Sequence, residues 1–437
     1  MITNEIIVRI DNNDKYKIEG KPIDFNLDNN SIFTYTFWDK KELKNLPHFF
    51  SEEGLDLFYI SLAVFGADRI LLRDHGENAW KRNIKLYLPV LSIEKWQSNK
   101  ELMESILNFL SGDKWELSFR KRELNMLEQR VKNKIEQTED KFEYDKICMF
   151  SGGLDSFIGA IDAIEDTPID KFLFVSHYGG GKGVKEYQDA LVQALHNTYN
   201  LDGSHFFNFY ASTKNGKEDT TRTRSLMFFS HAIVLGTTMK KRMKLFIPEN
   251  GLISLNIPLT NSRLGSSSTR TTHPYYMELL QRLLVNLNLD IILENPYQFK
   301  TKGEMIEECK NIDFLQNNLE NTMSCSHPDL GRMQRESETS HCGTCLPCVI
   351  RRASIKKANI KDTSIYRDPN FESGLTARVN LMSYNLGLQK YNKKFSFISI
   401  QNSGTISKDI SEFVRVYDQG MEELKYLLES VNEEVLF

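Results

Sequence analysis

The chain has 437 residues, 59 Asp and Glu against 55 Lys and Arg, a formal net charge of −4, and 40% hydrophobic and 26% charged residues. Such a composition belongs to a soluble globular chain of two or three domains at about 100–200 residues each, and it excludes the global basic field of a dedicated nucleic-acid binder, leaving only a local patch open. There is no run of about 18 apolar residues, and Met1-Ile2-Thr3-Asn4-Glu5 lacks the basic and apolar parts of a signal peptide. The expectation is therefore no membrane segment and a cytoplasmic location, with oligomeric state left open.

In chain order, residues 6–10, 80–91 and 115–119 alternate like half-exposed strands, while 55–67 and 102–110 have the spacing of amphipathic helices. The pattern predicts a separate N-terminal α+β domain over 1–140 with no chemistry of its own. Residues 120–146 are rich in Glu, Lys, Arg and Gln and predict a helical connector. Beyond it the alternation becomes regular. Strands at 146–150, 171–176, 205–210, 244–248 and 290–293 alternate with helices near 154–165, 184–199, 223–240, 274–288 and 302–311. Short, continuously apolar strands separated by helices predict an α/β domain over 141–320 whose parallel sheet is covered on both faces. Ligands of such sheets bind at the carboxyl ends of the strands, where Ser151, Ser176, His177, Ser212, Glu249, Asn250 and Asn295 fall.

The first of those strands runs into Ser151-Gly152-Gly153-Leu154-Asp155-Ser156. Two glycines let the main chain turn tightly and bring N–H groups to an anion. Two serines add hydroxyl donors, and the next helix points its positive end at the same place. No Gly-Lys-Ser/Thr follows, so this is not the P-loop of Walker A proteins. Asp155 inside an anion loop would repel phosphate unless its charge is offset, which suggests a Mg²⁺-nucleotide. The plainer alternative is a Gly-Gly turn capping a core helix.

A second signal lies at Cys325 and at Cys342-Gly343-Thr344-Cys345-Leu346-Pro347-Cys348. Three cysteines in seven residues and a fourth 17 upstream supply four thiolates, more than a redox dithiol needs, and predict a closed structural zinc site in a module over 321–360. Arg332, Arg335, Arg351 and Arg352 lie near enough in sequence to offset its negative charge. Cys148 and Cys309 read as core thiols, and 361–437 as a C-terminal extension.

Together these motifs resemble the 7-cyano-7-deazaguanine synthase (QueC) family of pyrophosphatase-loop enzymes, over roughly 145–358. GMP, asparagine and NAD synthetases share the loop but not the cysteine cluster. Arg224-Ser225 resembles the family's Arg-Asn position, and Thr301-Lys302-Gly303-Glu304 its Thr-Lys-x-Glu helix start. The family's acidic Asp-x-x-Asp-Cys-Arg stretch is missing. In its place stand residues 265–274, Gly-Ser-Ser-Ser-Thr-Arg-Thr-Thr-His-Pro, which with Pro248-Glu249-Asn250-Gly251 resemble the QueC-like subunit, QatC, of Qat-type bacterial antiviral systems.

The resemblance implies a Rossmann-like, adenine nucleotide alpha hydrolase-like sheet, with ATP, Mg²⁺ and Zn²⁺ as ligands. It assigns Ser151, Gly152, Gly153, Leu154, Asp155 and Ser156 to pyrophosphate and Mg²⁺, and Ser176 and His177 to the nucleotide's base or ribose. Asp155, Arg224 and Lys302 become the catalytic set, Arg224 and Lys302 meeting transition-state charge. Glu249, Asn250, Arg270 and His273 become substrate contacts. The implied reaction adenylates a carboxylate on a deazaguanine-like molecule, releases pyrophosphate and passes the acyl group to an amine. That amine is ammonia, as in queuosine biosynthesis, or a group on a partner defence protein or nucleic acid. A nucleotide-binding scaffold is the non-enzymatic alternative.

Overall fold

Short apolar strands joined by helices can bury both faces of a sheet when the strands run parallel; the chain builds two mainly parallel sheets, and in the smaller one Lys85 and Glu116 leave one face open to solvent. The computed structural model describes residues 3–76, 80–166, 171–179, 182–214, 216–219, 222–259, 270–329, 331 and 339–435.

The N-terminal part comprises β1 (Thr3–Arg9), β2 (Ile23–Asn26), β3 (Phe33–Tyr35), α1 (Glu52–Ile70), β4 (Asn83–Val90), α2 (Ile93–Ser98), α3 (Lys100–Ser111), β5 (Lys114–Lys121) and α4 (Met126–Gln137). Its sheet has the order β2-β1-β4-β5 with every pairing parallel, so the expected α+β mixture is replaced by a parallel arrangement, with helices in the passages to β4 and to β5 and none between β1 and β2. The α3 helix buries Met103, Ile106, Leu107 and Leu110, the i, i+3, i+4, i+7 face of an amphipathic helix, and stops at Gly112 in the left-handed region. In contrast, α1 is buried continuously from Gly54 to Asp68 rather than on one face, because it packs against α7 (Arg224–Thr237) on one side and against β4 on another. Gly54 makes that approach possible, since a Cβ there would sit 2.8 Å from Thr237 Cγ2.

The second sheet adds β6 (Lys146–Met149), α5 (Leu154–Asp166), β7 (Phe172–Tyr178), α6 (Lys182–Tyr199), β8 (Phe206–Thr213), α7, β9 (Met243–Phe246), α8 (Gly251–Leu255), α9 (Pro274–Asn286), β10 (Ile291–Glu294), α10 (Lys302–Glu307) and α11 (Ile312–Asn317). Its order is β10-β9-β6-β7-β8-β3. The first five strands are parallel, and β3 from the N-terminal part closes the edge antiparallel to β8. One hydrophobic core runs from Ile6 and Val8 through Phe37, Leu57 and Phe209 to Leu245 and Ile291, so residues 1–140 share a core with the second sheet. A separate cluster around Phe150, Phe157, Phe174, Leu191 and Met305 covers another part of that sheet.

Two helical expectations shrink. Residues 120–146 hold a helix only over α4, which opens with a capping box between Asn125 and Glu128; Arg120 and Lys121 belong to β5. Residues 302–311 hold only the short α10, and a second helix, α11, starts just beyond them with Asn311 as its cap. The extension is helical from Leu375 to Val435, with short breaks. After α12 (Leu346–Lys357), helices α13 (Leu375–Lys390), α14 (Ser396–Ser403) and α15 (Ile410–Val435) form a third core with Val349, Tyr384, Phe413, Met421 and Leu428.

Candidate functional site

The loop after β6 is fixed from three directions. Gly152 has φ +82°, where an L side chain is strained, and a Cβ there would lie 2.8 Å from Gln188 Cγ. Ser151 Oγ lies 3.0 Å from Ser156 Oγ and accepts from the Gly153 N–H at 3.3 Å, while the Ser156 hydroxyl donates to the Gly153 carbonyl at 2.9 Å. Gln188, fully buried on α6, donates to the carbonyls of Ser151 (2.9 Å) and His177 (3.2 Å), tying the loop to the end of β7. The third tie comes from the segment leading into the cysteine cluster: the Met323 N–H donates to the Gly152 carbonyl at 2.8 Å, and the Leu154 N–H donates to Ser324 Oγ at 3.4 Å.

Beside the loop, Asp155 and Lys302 form a buried ion pair at 2.8 Å. The other carboxylate oxygen of Asp155 accepts from the Asn250 main chain (3.1 Å) and side-chain amide (2.6 Å). Both oxygens of Asp155 are thus engaged by the protein. Lys302 is the first residue of α10, set by the Thr301–Glu304 capping box, and its pairing with Asp155 is what offsets a cation at a positive helix end.

Glu249, half-buried, follows β9. Its carboxylate accepts the Thr272 hydroxyl, and its main chain is held by Asn295, whose amide donates to the Glu249 carbonyl at 2.8 Å. Burial pushes its carboxyl up to about 7. Asp155 adds to that rise, and the Thr272 hydroxyl and Lys302 work against it. A carboxyl held near neutrality beside an ion pair is a group that can take or give a proton at physiological pH.

The remaining expected contacts divide. Asn250 is fully buried and committed at both ends of its side chain, its amide to Asp155 and its oxygen to the Ile253 N–H (3.0 Å) as the cap of α8; it positions Asp155 and faces no open space. His273 is likewise buried. One ring nitrogen caps α9 at Tyr275 and the other meets Ser403 at 3.1 Å, with burial and Arg270 lowering its pKa to about 3. Arg270 turns to the end of α3, donating to the Phe109 carbonyl at 2.6 Å with its guanidinium 4.3 Å over the Phe109 ring. The preceding residues 265–269 lie outside the described residues.

Ser176 and His177 end β7 at the carboxyl edge, but His177 is only 2% exposed. Neither ring nitrogen has a hydrogen-bond partner among the described residues, and burial, with Arg224 and His231 adding, keeps the ring neutral by pushing its pKa well below the usual value. Arg224, by contrast, is exposed at the first turn of α7 and makes no ion pair among the described residues. Its neighbour Arg222 is buried, stacked 4.5 Å from Trp80 and donating to the Ser111 carbonyl at 3.4 Å, so the two arginines do not form one solvated face.

Cys325, Cys342, Cys345 and Cys348 converge, with their sulfurs all within 4.8 Å of one another. A tetrahedral ion with metal–sulfur bonds of about 2.3 Å requires sulfur–sulfur edges of about 3.8 Å. The Cys325–Cys345 and Cys342–Cys348 separations are both 3.9 Å, far beyond the roughly 2.05 Å of a disulfide. The donor set and the spacing fit a tetrahedral metal such as zinc. Charge is met mainly by main-chain donors. Cys325 Sγ accepts from the His327 and Cys342 N–H groups and Cys342 Sγ from the Cys345 N–H, each at 3.3 Å. Hydrogen bonding among the four thiols, Cys325 first, pushes Cys342 and Cys345 down, while the same contacts push Cys325 and Cys348 up. Arg351 does not serve this charge. It is fully buried and spent on Thr322, Leu319 and Ser364, while Arg352 reaches the Gly343 carbonyl at 3.4 Å; Arg332 and Arg335 lie outside the described residues. Cys148 and Cys309 are buried away from the cluster, each thiol pushed up to about 12 by burial.

Sequence reasoning missed Gln188 and Ser324, single polar residues outside any motif whose role exists only through the fold. It also missed the pairing of Asp155 with Lys302, although both were singled out. No helix among the described residues is long and apolar enough to cross a membrane. No protein-family model matches the chain, and no curated protein matches it.

Proposed function

We propose that the chain is a QueC-like ATP-dependent enzyme, built on a Rossmann-like nucleotide fold, that adenylates the carboxylate of a 7-carboxy-7-deazaguanine-like molecule and passes the acyl group to an amine. We assign it to a bacterial antiviral defence system. The observation that carries this reading is the Asp155–Lys302 ion pair set against the Ser151–Ser156 loop at the carboxyl edge of the parallel sheet. In the first step a substrate carboxylate oxygen attacks the α-phosphorus, the bond to the β-phosphate oxygen breaks and pyrophosphate leaves. In the second, the amine attacks the acyl carbon, AMP leaves and the amine loses a proton.

The loop's main-chain N–H groups and hydroxyls suit the departing pyrophosphate, and Lys302 and Arg224 suit the charge that develops on it. Glu249, poised near neutrality, is the acceptor for the amine's proton. Mg²⁺ on the nucleotide would be held by Asp155 in exchange for its contact with Lys302 and would neutralise phosphate charge, with Glu249 left as the proton acceptor. The cysteine module's part is structural, since Met323 and Ser324 brace the loop.

The test supplies ATP, Mg²⁺, 7-carboxy-7-deazaguanine and ammonia or a protein amine, and follows pyrophosphate and product mass. Pyrophosphate with an amide on a protein amine supports the proposal. Conversion of the free base to a nitrile would instead assign queuosine chemistry, and no pyrophosphate under any condition would leave a nucleotide-binding scaffold.

A further inference from the structure

A helix lying on a protein surface ordinarily turns apolar residues inward and polar residues outward. The α13 helix is apolar on both sides. Its inner side, Ala377, Tyr384 and Gly387, is buried, and the Tyr384 hydroxyl donates to the Thr344 carbonyl at 3.0 Å, anchoring the helix beside the cysteine cluster. The outer side carries Leu375, Val379, Met382 and Leu386, which are 79%, 49%, 71% and 44% exposed. At 100° per residue these four lie within a stripe about 60° wide, directly opposite the buried side. Their spacing of four, three and four residues is the seam spacing of a coiled coil. Beyond the helix, Phe395, Phe397 and Ile398 are also more than half exposed.

The flanks of the stripe are polar and basic. Thr376, Ser383 and Lys390 border one side, and Arg378, Asn385 and Gln389 the other. From Ser373 to Lys408 the chain contains Arg378, Lys390, Lys393, Lys394 and Lys408 and not one Asp or Glu; Lys393 pairs with Glu422 of α15 at 3.4 Å, and the other four make no ion pair among the described residues. We infer that the outer face of α13 docks an amphipathic helix of a partner protein whose apolar seam is flanked by Asp and Glu.

Charge decides between occupants. A second copy would bring only another basic flank with no Asp or Glu to the seam, and like charges beside a seam oppose pairing. A nucleic acid would leave the four aliphatic side chains without a partner. An amphipathic helix that lies on a membrane needs a broad apolar face, whereas this one is a single narrow row between polar walls. The inference stands independently of the chemistry proposed above.

The probe is a labelled, designed 21-residue helix with a leucine seam flanked by Glu, and a control in which Lys replaces Glu. Anisotropy with the full chain should show binding of the Glu-flanked helix, weakened by added salt, and none of the Lys-flanked one. Met382→Glu, at an exposed position, should weaken binding at least about tenfold without changing the circular dichroism spectrum, and Met382→Ser serves as a second variant if it does. Equal binding of the two helices, or no binding of either, would overturn the inference. So would self-association of the chain that Met382→Glu abolishes, or Met382-dependent flotation with phosphatidylglycerol vesicles.

Discussion

Replacing Lys302 by Met tests the site where its geometry is most specific. The ammonium lies 2.8 Å from Asp155, and the side chains are only 6% and 12% exposed. At that distance the attraction is about 6 kcal/mol with an effective dielectric constant of about 20. Desolvation of both partners cancels much of it, but removing one partner strands the other's charge, and breaking a buried pair costs about 3–5 kcal/mol. Asn250 still donates twice to Asp155, so the lower half of that range is expected. Adding Asp155→Asn to Lys302→Met removes the stranded charge and should recover about 2 kcal/mol, a coupling of the size found for residues in direct contact. Urea denaturation followed by tryptophan fluorescence and by circular dichroism measures both variants against the wild type. A Lys302→Met loss below about 1 kcal/mol, or a double variant as unstable as the sum of the two single ones, would refute the buried pair as described.

Glu249 sets a pH dependence. Its carboxyl, raised to about 7, is protonated below that value and cannot accept a proton, so the rate should climb as pH rises through about 7. Glu249→Gln should flatten that limb, and an unchanged limb would remove Glu249 as the proton acceptor. Metal analysis should find about one zinc per chain. Cys342→Ser should lose it and, by freeing the Met323–Gly152 tie, make the loop more sensitive to proteolysis; a metal-free wild-type chain of full stability would contradict the cluster assignment. Gly152→Ala should cost about 1–2 kcal/mol from the left-handed backbone alone and more from the contact with Gln188, read by the same urea titration.

The parts legible in the sequence were those whose chemistry is local. The Ser151–Ser156 loop announces itself by its own glycines and hydroxyls, the cysteine quartet by its spacing, and β6 to β10 by short apolar runs. The parts that were not legible depend on partners far along the chain. Strands β2 and β3, at four and three residues, are too short to show a period, and the pairing of β3 with β8 spans some 180 residues. Asn250 and His273 look like ligands because they carry acceptors, but helix capping uses the same acceptors. Arg270 looks like a substrate contact until α3 presents the Phe109 carbonyl and ring to it. The outward stripe of α13 has the same spacing as an inward one, and only burial tells which of its two apolar sides is covered.

In the proposed reaction a carboxylate is activated with pyrophosphate as the leaving group. That activation is tested most directly by pyrophosphate release from ATP and Mg²⁺ in the presence and absence of 7-carboxy-7-deazaguanine, with Asp155→Ala alongside. Release by the wild type should depend on the carboxylate and the variant should give none; release that ignores the carboxylate, or that survives loss of Asp155, would rule out carboxylate activation at this loop.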